Sequence, residues 1–353
     1  EVTCRTMHNI LTLRGAEVRD PLLWSECIDE SLVMFGDEAE IYFACHCWPE
    51  WGNENICNFL EEQRDIYRYI HDQTLRLANS GYTPREIAEE VDEPEFMKHS
   101  FSVREYYGTL NHNIKATYQK YYGYFDGNPA SLHPHTPVKE GKKYIEAMGG
   151  ADSVLSKAWT AFGEGDYRWT STILNHLVFA DPTNQLAREM LASTYEQLGF
   201  QAESVLWRNY YLCGAQELRE GVNPRAGVGG VNEDIARVMP LRDFFNLLAV
   251  KLNPTKAKNV RFKVNFELTD SREKVAVIIN NQVENHRVNS WSEDADLAVS
   301  LSRFTLNDIA YGRISIDQAV AREALSLTGR VETFKAYLDM HDQFDLWFNI
   351  IEP

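Results

Sequence analysis

The hydrophobic pattern of this chain changes period once. Up to about residue 215 the longer apolar patterns recur mainly at helical spacing, and beyond the run Arg225-Ala226-Gly227-Val228-Gly229-Gly230 they alternate. A period near 3.6 turns one helix face to a core, and a period of two does the same for a strand. Val260, Phe262, Val264, Phe266 and Leu268 alternate with Arg261, Lys263, Asn265 and Glu267, which predicts a half-buried strand. Residues 275–279 predict a second strand, turning at Asn280-Asn281, and Leu297, Val299 and Leu301 a third. An amphipathic helix over 241–252 precedes them, and two helical stretches follow with 327–331 between them. The chain closes in the apolar run Leu346-Trp347-Phe348-Asn349-Ile350. The expectation for 229–353 is an α+β domain with its sheet covered by helices on one side. The glycines of the 225–230 run do not follow a strand of a βα unit, which argues against a phosphate loop.

Before that run, residues 151–215 are helical and echo themselves. Gly165-Asp166-Tyr167 and Gly199-Phe200-Gln201 are offset by 34 residues, the tetratricopeptide period. Fewer than three copies cannot stand alone as a solenoid, so the module is expected to bury its faces against a partner, a second subunit being one candidate. Residues 106–128 are unusually aromatic and end in the turn signal Asp126-Gly127-Asn128-Pro129. In the first hundred residues Trp24, Ile28, Leu32 and Phe35 predict a helix that stops at Gly36-Asp37. Residues 41–44 predict a short buried strand that delivers His46 at its end; a helix over about 55–77 follows. Thr83-Pro84 then starts another helix, with Thr83 as the cap. The 353 residues exceed the roughly 250–300 at which single cores stop growing, so two or three domains are expected.

Charge narrows the function classes. With 35 Lys+Arg against 52 Asp+Glu the net charge is −17, which argues against the basic footprint of nucleic-acid binding and against docking on an anionic membrane. No apolar run approaches the roughly 20 residues of a membrane span. The six cysteines are too sparse for a disulfide scaffold and are expected to be mostly buried thiols. Cys45-His46-Cys47 lacks the spacing and the second pair of a zinc finger, and on a strand its two thiols would share a side only with each other. The sequence opens at Glu1 without a start Met or signal peptide, so a processed protein or part of a longer one is expected.

Glu1, His8, Asn9, Arg14 and Arg19 gather within twenty residues, and His46 follows. Carboxylate and imidazole are ordinary Zn²⁺ ligands, and two guanidinium forks suit an oxyanion. The same arginines could equally be surface residues pairing with Glu17 and Asp20.

Four segments resemble the metallo-β-lactamase-fold alkylsulfatases. They are Met7-His8-Asn9-Ile10-Leu11-Thr12-Leu13-Arg14-Gly15-Ala16 with Val18-Arg19-Asp20, and Ala44-Cys45-His46-Cys47-Trp48-Pro49-Glu50-Trp51-Gly52-Asn53. The third comprises Tyr107-Gly108-Thr109, His112-Asn113, Tyr118-Gln119 and Tyr122-Gly123, through to Pro129. The fourth is Leu174-Asn175-His176-Leu177-Val178-Phe179-Ala180-Asp181-Pro182, with Glu196-Gln197-Leu198-Gly199 and Trp207-Arg208-Asn209 downstream. The resemblance implies an α+β multidomain protein in three parts. These are the C-terminal portion of a metallo-β-lactamase αββα catalytic domain (1–100), an all-α, tetratricopeptide-like dimerisation domain (101–228) and an SCP2-like α+β domain for apolar ligands (229–353). It implies hydrolysis of alkyl sulfate esters such as dodecyl sulfate at two Zn²⁺ ions, in a homodimer formed through 101–228. By position, Glu1 and His46 match metal ligands, and the segment from Asn9 to Arg14 matches the sulfate-holding loop, with Arg14 the direct contact. Arg19 and Tyr118 are further candidates for the anion. Bacterial members are commonly exported, so a secreted or periplasmic location would follow from likeness alone.

The family's HxHxDH motif and first carboxylate ligand do not occur in this sequence. His133-Pro134-His135 falls where the family has a plain loop, and Cys47 stands where relatives often have a second His. Two ligands cannot hold a dinuclear centre. The expectation is therefore that an N-terminal half carrying the motif was removed or lies on another polypeptide, and that this chain alone is inactive. The rival reading is a non-catalytic lipid-binding and dimerisation protein.

Overall fold

The computed structural model describes residues 2–224, 235, 238–330, 332–345 and 347–353. They form two units, Glu1–Val222 with Asn349–Pro353, and Asn223–Phe348. The 225–230 run lies outside the described residues.

In the first unit, α1 (Pro21–Phe35) begins where the Asp20 carboxylate accepts from Leu22 N and Leu23 N at 3.1 and 3.2 Å. Trp24 and Ile28 are buried and Leu32 half-buried, as the helical spacing predicts, whereas Phe35, the fourth residue of that pattern, is exposed. The buried strand expected at 41–44 is not there. Strands β1 (Ile41–Tyr42) and β2 (Glu50–Trp51) make a two-residue antiparallel ribbon, and Ile41 and Phe43 are 60% and 76% exposed. Four apolar residues in a row lack the alternation that would commit one face to a core. A 26-residue helix α2 (Asn53–Ala78) follows. Then α3 (Pro84–Glu90) opens with a full capping box between Thr83 and Glu86.

Helix α4 (Leu110–Tyr122) closes the first core, in which Met7, Ile10, Ile28, Ile66, Tyr67, Ile70 and Ile114 meet. Five helices complete the unit: α5 (Pro137–Ala147), α6 (Ala151–Gly163), α7 (Tyr167–Ala180), α8 (Gln185–Gln201) and α9 (Val205–Glu220). The starts of α6 and α8 are 34 residues apart (185 − 151), but those of α7 and α9 are 38 apart (205 − 167). Accordingly Gly165 sits in a turn at φ 80°, whereas Gly199 lies inside α8 against Leu212. Ile351 packs on the core these helices share.

In the second unit, α10 (Leu241–Lys251) precedes a five-stranded sheet of β3 (Phe262–Leu268), β4 (Lys274–Asn280), β5 (Val283–Val288), β6 (Leu297–Leu301) and β7 (Leu325–Gly329). The order is β5-β4-β3-β6-β7, antiparallel except for the parallel β3–β6 pair. Three further helices are α11 (Arg303–Ala310), α12 (Ile316–Ala321) and α13 (Glu332–Asp339). Val264, Phe266 and Leu268 face a core with Phe244, Phe245, Phe334 and Tyr337. On the opposite face the Asn265 amide donates to Ser292 O at 2.8 Å and Lys263 pairs with Asp294 at 2.6 Å. Asn281 and Gln282, at φ 54° and 64°, make the tight β4–β5 turn that Asn280-Asn281 predicts. Val260, Phe262, Ala336 and Met340 line an open cavity of about 590 Å³.

Candidate active site

The segment from Met7 to Arg19 has no regular structure of its own, so its backbone groups must find partners elsewhere. Asn113 of α4 supplies two: its amide donates to His8 O and its carbonyl oxygen accepts from Ile10 N, each at 2.9 Å. From the preceding position, His112 donates from Nε2 to Leu11 O at 2.6 Å, and burial holds its pKa below the ordinary histidine range. His8 N donates to the Tyr67 hydroxyl at 2.9 Å, deep in the core. Gly108 N donates to Met7 O at 2.8 Å, and a Cβ at Gly108 would lie 2.5 Å from His8 O. Only glycine allows that approach.

On this backing the side chains assemble. Arg19 Nη1 donates to Asn9 O at 2.7 Å and to His8 Nδ1 at 3.1 Å, with its guanidinium over the Trp24 ring. The buried His8 ring packs against Tyr107 (centroids 4.9 Å apart) and lies 6.3 Å from the ring of His46. His46 itself is exposed, on the tip between β1 and β2. Arg14 sits in the turn closed by Gly15 N donating to Thr12 O at 3.0 Å; Gly15 has φ 93°. The Arg14 side chain is exposed and has no ion pair or hydrogen bond among the described residues. Asp20 serves as the α1 cap. Tyr118 is buried in α4 with its ring 4.9 Å from that of Tyr122. Asn9, Arg19 and His46 thus converge around His8, and Glu1 lies outside the described residues.

Among the described residues no group of three or more His, Cys, Asp or Glu could hold a metal ion. Zn²⁺ takes about four ligands, so a centre at His46 would need donors beyond this group. The expectation of mostly buried cysteines also fails. Cys4 alone is buried, Cys27 and Cys57 are intermediate, and Cys45, Cys47 and Cys213 are exposed. Cys45 and Cys47 sit on an exposed tip, not a buried strand, and Cys47 Sγ faces Cys4 Sγ at 4.0 Å. Gly108 and Asn113 stand inside the motifs that carry the resemblance. Their supporting roles leave no local signal in the sequence, because each acts on a backbone about a hundred residues away.

Two family descriptions match the chain, alkyl sulfatase dimerisation over residues 83–221 and alkyl sulfatase C-terminal over residues 230–353. A linear primary-alkylsulfatase from a Pseudomonas species is 44% identical over 353 residues, covering 100% of this chain and 52% of that protein. An alkyl/aryl-sulfatase of Saccharomyces cerevisiae is 43% identical over 347 residues, 98% of this chain and 53% of its own. The solved structure of a stereoselective inverting sec-alkylsulfatase from Pseudomonas superposes with a TM-score of 0.96 at 40% identity, over 100% of this chain and 56% of that one. The fold is therefore that of the sulfatase relatives in mixed helix and sheet form. The chain belongs to the alkylsulfatase family, and it spans about half the length of the curated relatives it matches. No described helix is long and apolar enough to cross a membrane.

Proposed function

We propose that the protein containing this chain hydrolyses alkyl sulfate esters of the dodecyl sulfate kind to an alcohol and sulfate. Two Zn²⁺ ions would be held jointly by His46, Glu1 and ligands outside this sequence. Zinc in such a centre supplies Lewis acidity and an activated water. The observation that carries the reading is the fixed segment from Asn9 to Arg19, which presents an uncommitted guanidinium at Arg14 in a chain of net charge −17. Arg14 would take the sulfate oxygens by its planar donor fork and stabilise charge on them in the transition state. Arg19, oriented by Asn9 O and His8, would hold the segment in shape and add field at the anion. Tyr118 is the more distant candidate, since its ring is buried.

The three-part division (a metallo-β-lactamase-like portion over 1–100, a tetratricopeptide-like dimerisation domain over 101–228 and an SCP2-like domain over 229–353) belongs to the same proposal. The cavity at Val260 and Phe262 would take the alkyl tail, each buried methylene contributing about 0.8 kcal/mol. The protein would act as a homodimer through the helical domain, in keeping with the name of the family matched over residues 83–221.

The test measures sulfate release from dodecyl sulfate by the protein extended to the length of its relatives, with the HxHxDH motif present. Release is expected from the extended protein and not from residues 1–353 alone. Arg14→Ala should lower kcat/KM by roughly 100-fold with zinc content unchanged. No release from the extended protein, or an Arg14→Ala variant as active as the parent, would refute the reading.

A further inference from the structure

The N-terminal segment and the β1–β2 tip are held together by three successive residues. The Tyr42 hydroxyl approaches Thr3 Oγ1 at 2.8 Å. Arg5 pairs with Glu50 at 2.6 Å, both side chains largely shielded, and its guanidinium lies 5.5 Å from the Trp48 ring and 5.9 Å from that of Phe101. Between these anchors lies Cys4, only 2% exposed, and its sulfur is 4.0 Å from that of Cys47 across 43 residues of sequence. Anchors on both sides make the approach of the two sulfurs a feature of the packing. Cys47 is exposed, so a reagent can reach it, while Cys4 is buried. Cys45, on the other side of His46, has no sulfur neighbour among the described residues.

We propose that Cys4 and Cys47 are a disulfide-forming pair that staples the N-terminal segment to the tip carrying His46. The bond needs the sulfurs to close to about 2.05 Å, which side-chain rotation can supply when the backbones are already adjacent. The oxidant is a low-molecular-weight disulfide such as oxidised glutathione. The Cys47 sulfur attacks one glutathione sulfur and displaces the first reduced glutathione, leaving a mixed disulfide. The Cys4 sulfur then attacks the Cys47 sulfur, the mixed disulfide breaks, and the second glutathione leaves. Two thiols are oxidised to one disulfide, one external disulfide is reduced to two thiols, and the two protons end on the departing glutathiones. The cross-link would close a 43-residue separation around α1, restricting chiefly the unfolded chain, and would hold the tip against the segment that leads into Asn9 and Arg14.

The test uses the full 353-residue chain, reduced, freed of metal with a chelator and incubated with oxidised glutathione. Remaining thiols are then alkylated, followed by intact-mass measurement and non-reducing peptide mapping. The expected product has lost two hydrogens, carries no glutathione, keeps four of its six thiols alkylatable and yields a reductant-sensitive Cys4–Cys47 peptide pair. Its melting midpoint should rise by roughly 5 °C. Cys47→Ser should abolish the bridge and Cys45→Ser should leave it intact; the wild-type map decides the matter even if a Cys4 variant fails to fold. A stable glutathione adduct on Cys47 with Cys4 still alkylatable, or a bridge mapped to Cys45, would overturn the proposal.

Discussion

Gly108 and Asn113 show how the anion-facing segment is kept in place by residues that never reach an anion. Asn113 satisfies two buried backbone groups that would otherwise be orphaned, and the bare Cα of Gly108 lets its own N–H come within hydrogen-bond distance of Met7 O. Gly108→Ala drives a Cβ to 2.5 Å from His8 O, a backbone atom that cannot swing aside. It should destabilise the first unit by about 1–3 kcal/mol, read as a lowered midpoint in denaturant unfolding. An unchanged midpoint would mean that the segment yields easily. Arg14 and Arg19, alike as residue types, have separated. Arg19 is committed to Asn9 O and His8, while Arg14 stays exposed at a turn. No spacing rule could divide them, because the difference lies in what packs beneath each.

Among the elements, β5 is the one that the hydrophobic pattern hides. Its core-facing residues are Glu284, His286 and Val288, opposite Ile279, Val277 and Val275. A strand with Glu and His on its inner face does not alternate in hydropathy and does not read as a strand. The burial of Glu284 is offset by two polar partners: His341 Nε2 lies 2.9 Å from its carboxylate and the Tyr337 hydroxyl donates to it at 3.3 Å. Burial beside that carboxylate pushes the Tyr337 hydroxyl well above the ordinary tyrosine range. Glu284→Ala would strand His341 in the core and should cost the second unit about 3–5 kcal/mol in denaturant unfolding. The double change Glu284→Leu with His341→Leu should recover most of that loss, since an apolar pair of fitting volume can replace a buried hydrogen-bonded pair. If the double variant is as unstable as the single one, the site is limited by shape and not by charge. By contrast β3 and β6 show their core face by alternation, and β4 shows itself as the apolar run 275–279 bounded by Lys274 and Asn280.

At the scale of the whole molecule, Trp159 and Leu186 stand out, 63% and 69% exposed and lining a common hollow between α6 and α8. Adjacent exposed apolar side chains of this size mark association sites, and they fall within the region matched by the dimerisation family. The chain should therefore run at twice 40.6 kDa in light scattering, and Trp159→Glu should shift it toward the single mass. A parent chain that is monomeric at all concentrations would exclude self-association through this surface. What the sequence alone determined is local: the Thr83 cap, the extent of α2, the alternation of β3 and the turn at Asn281. Propensity and period are carried by neighbours along the chain, so neighbours suffice to read them. Only the tertiary structure decided that the 41–44 run is an exposed ribbon, that Glu284 belongs in a core, that His8 joins Asn9, Arg19 and His46, and that Cys4 meets Cys47. Those outcomes join residues from 10 to 57 positions apart, or turn on what covers a surface. Packing sets such proximities, and a linear pattern does not record them.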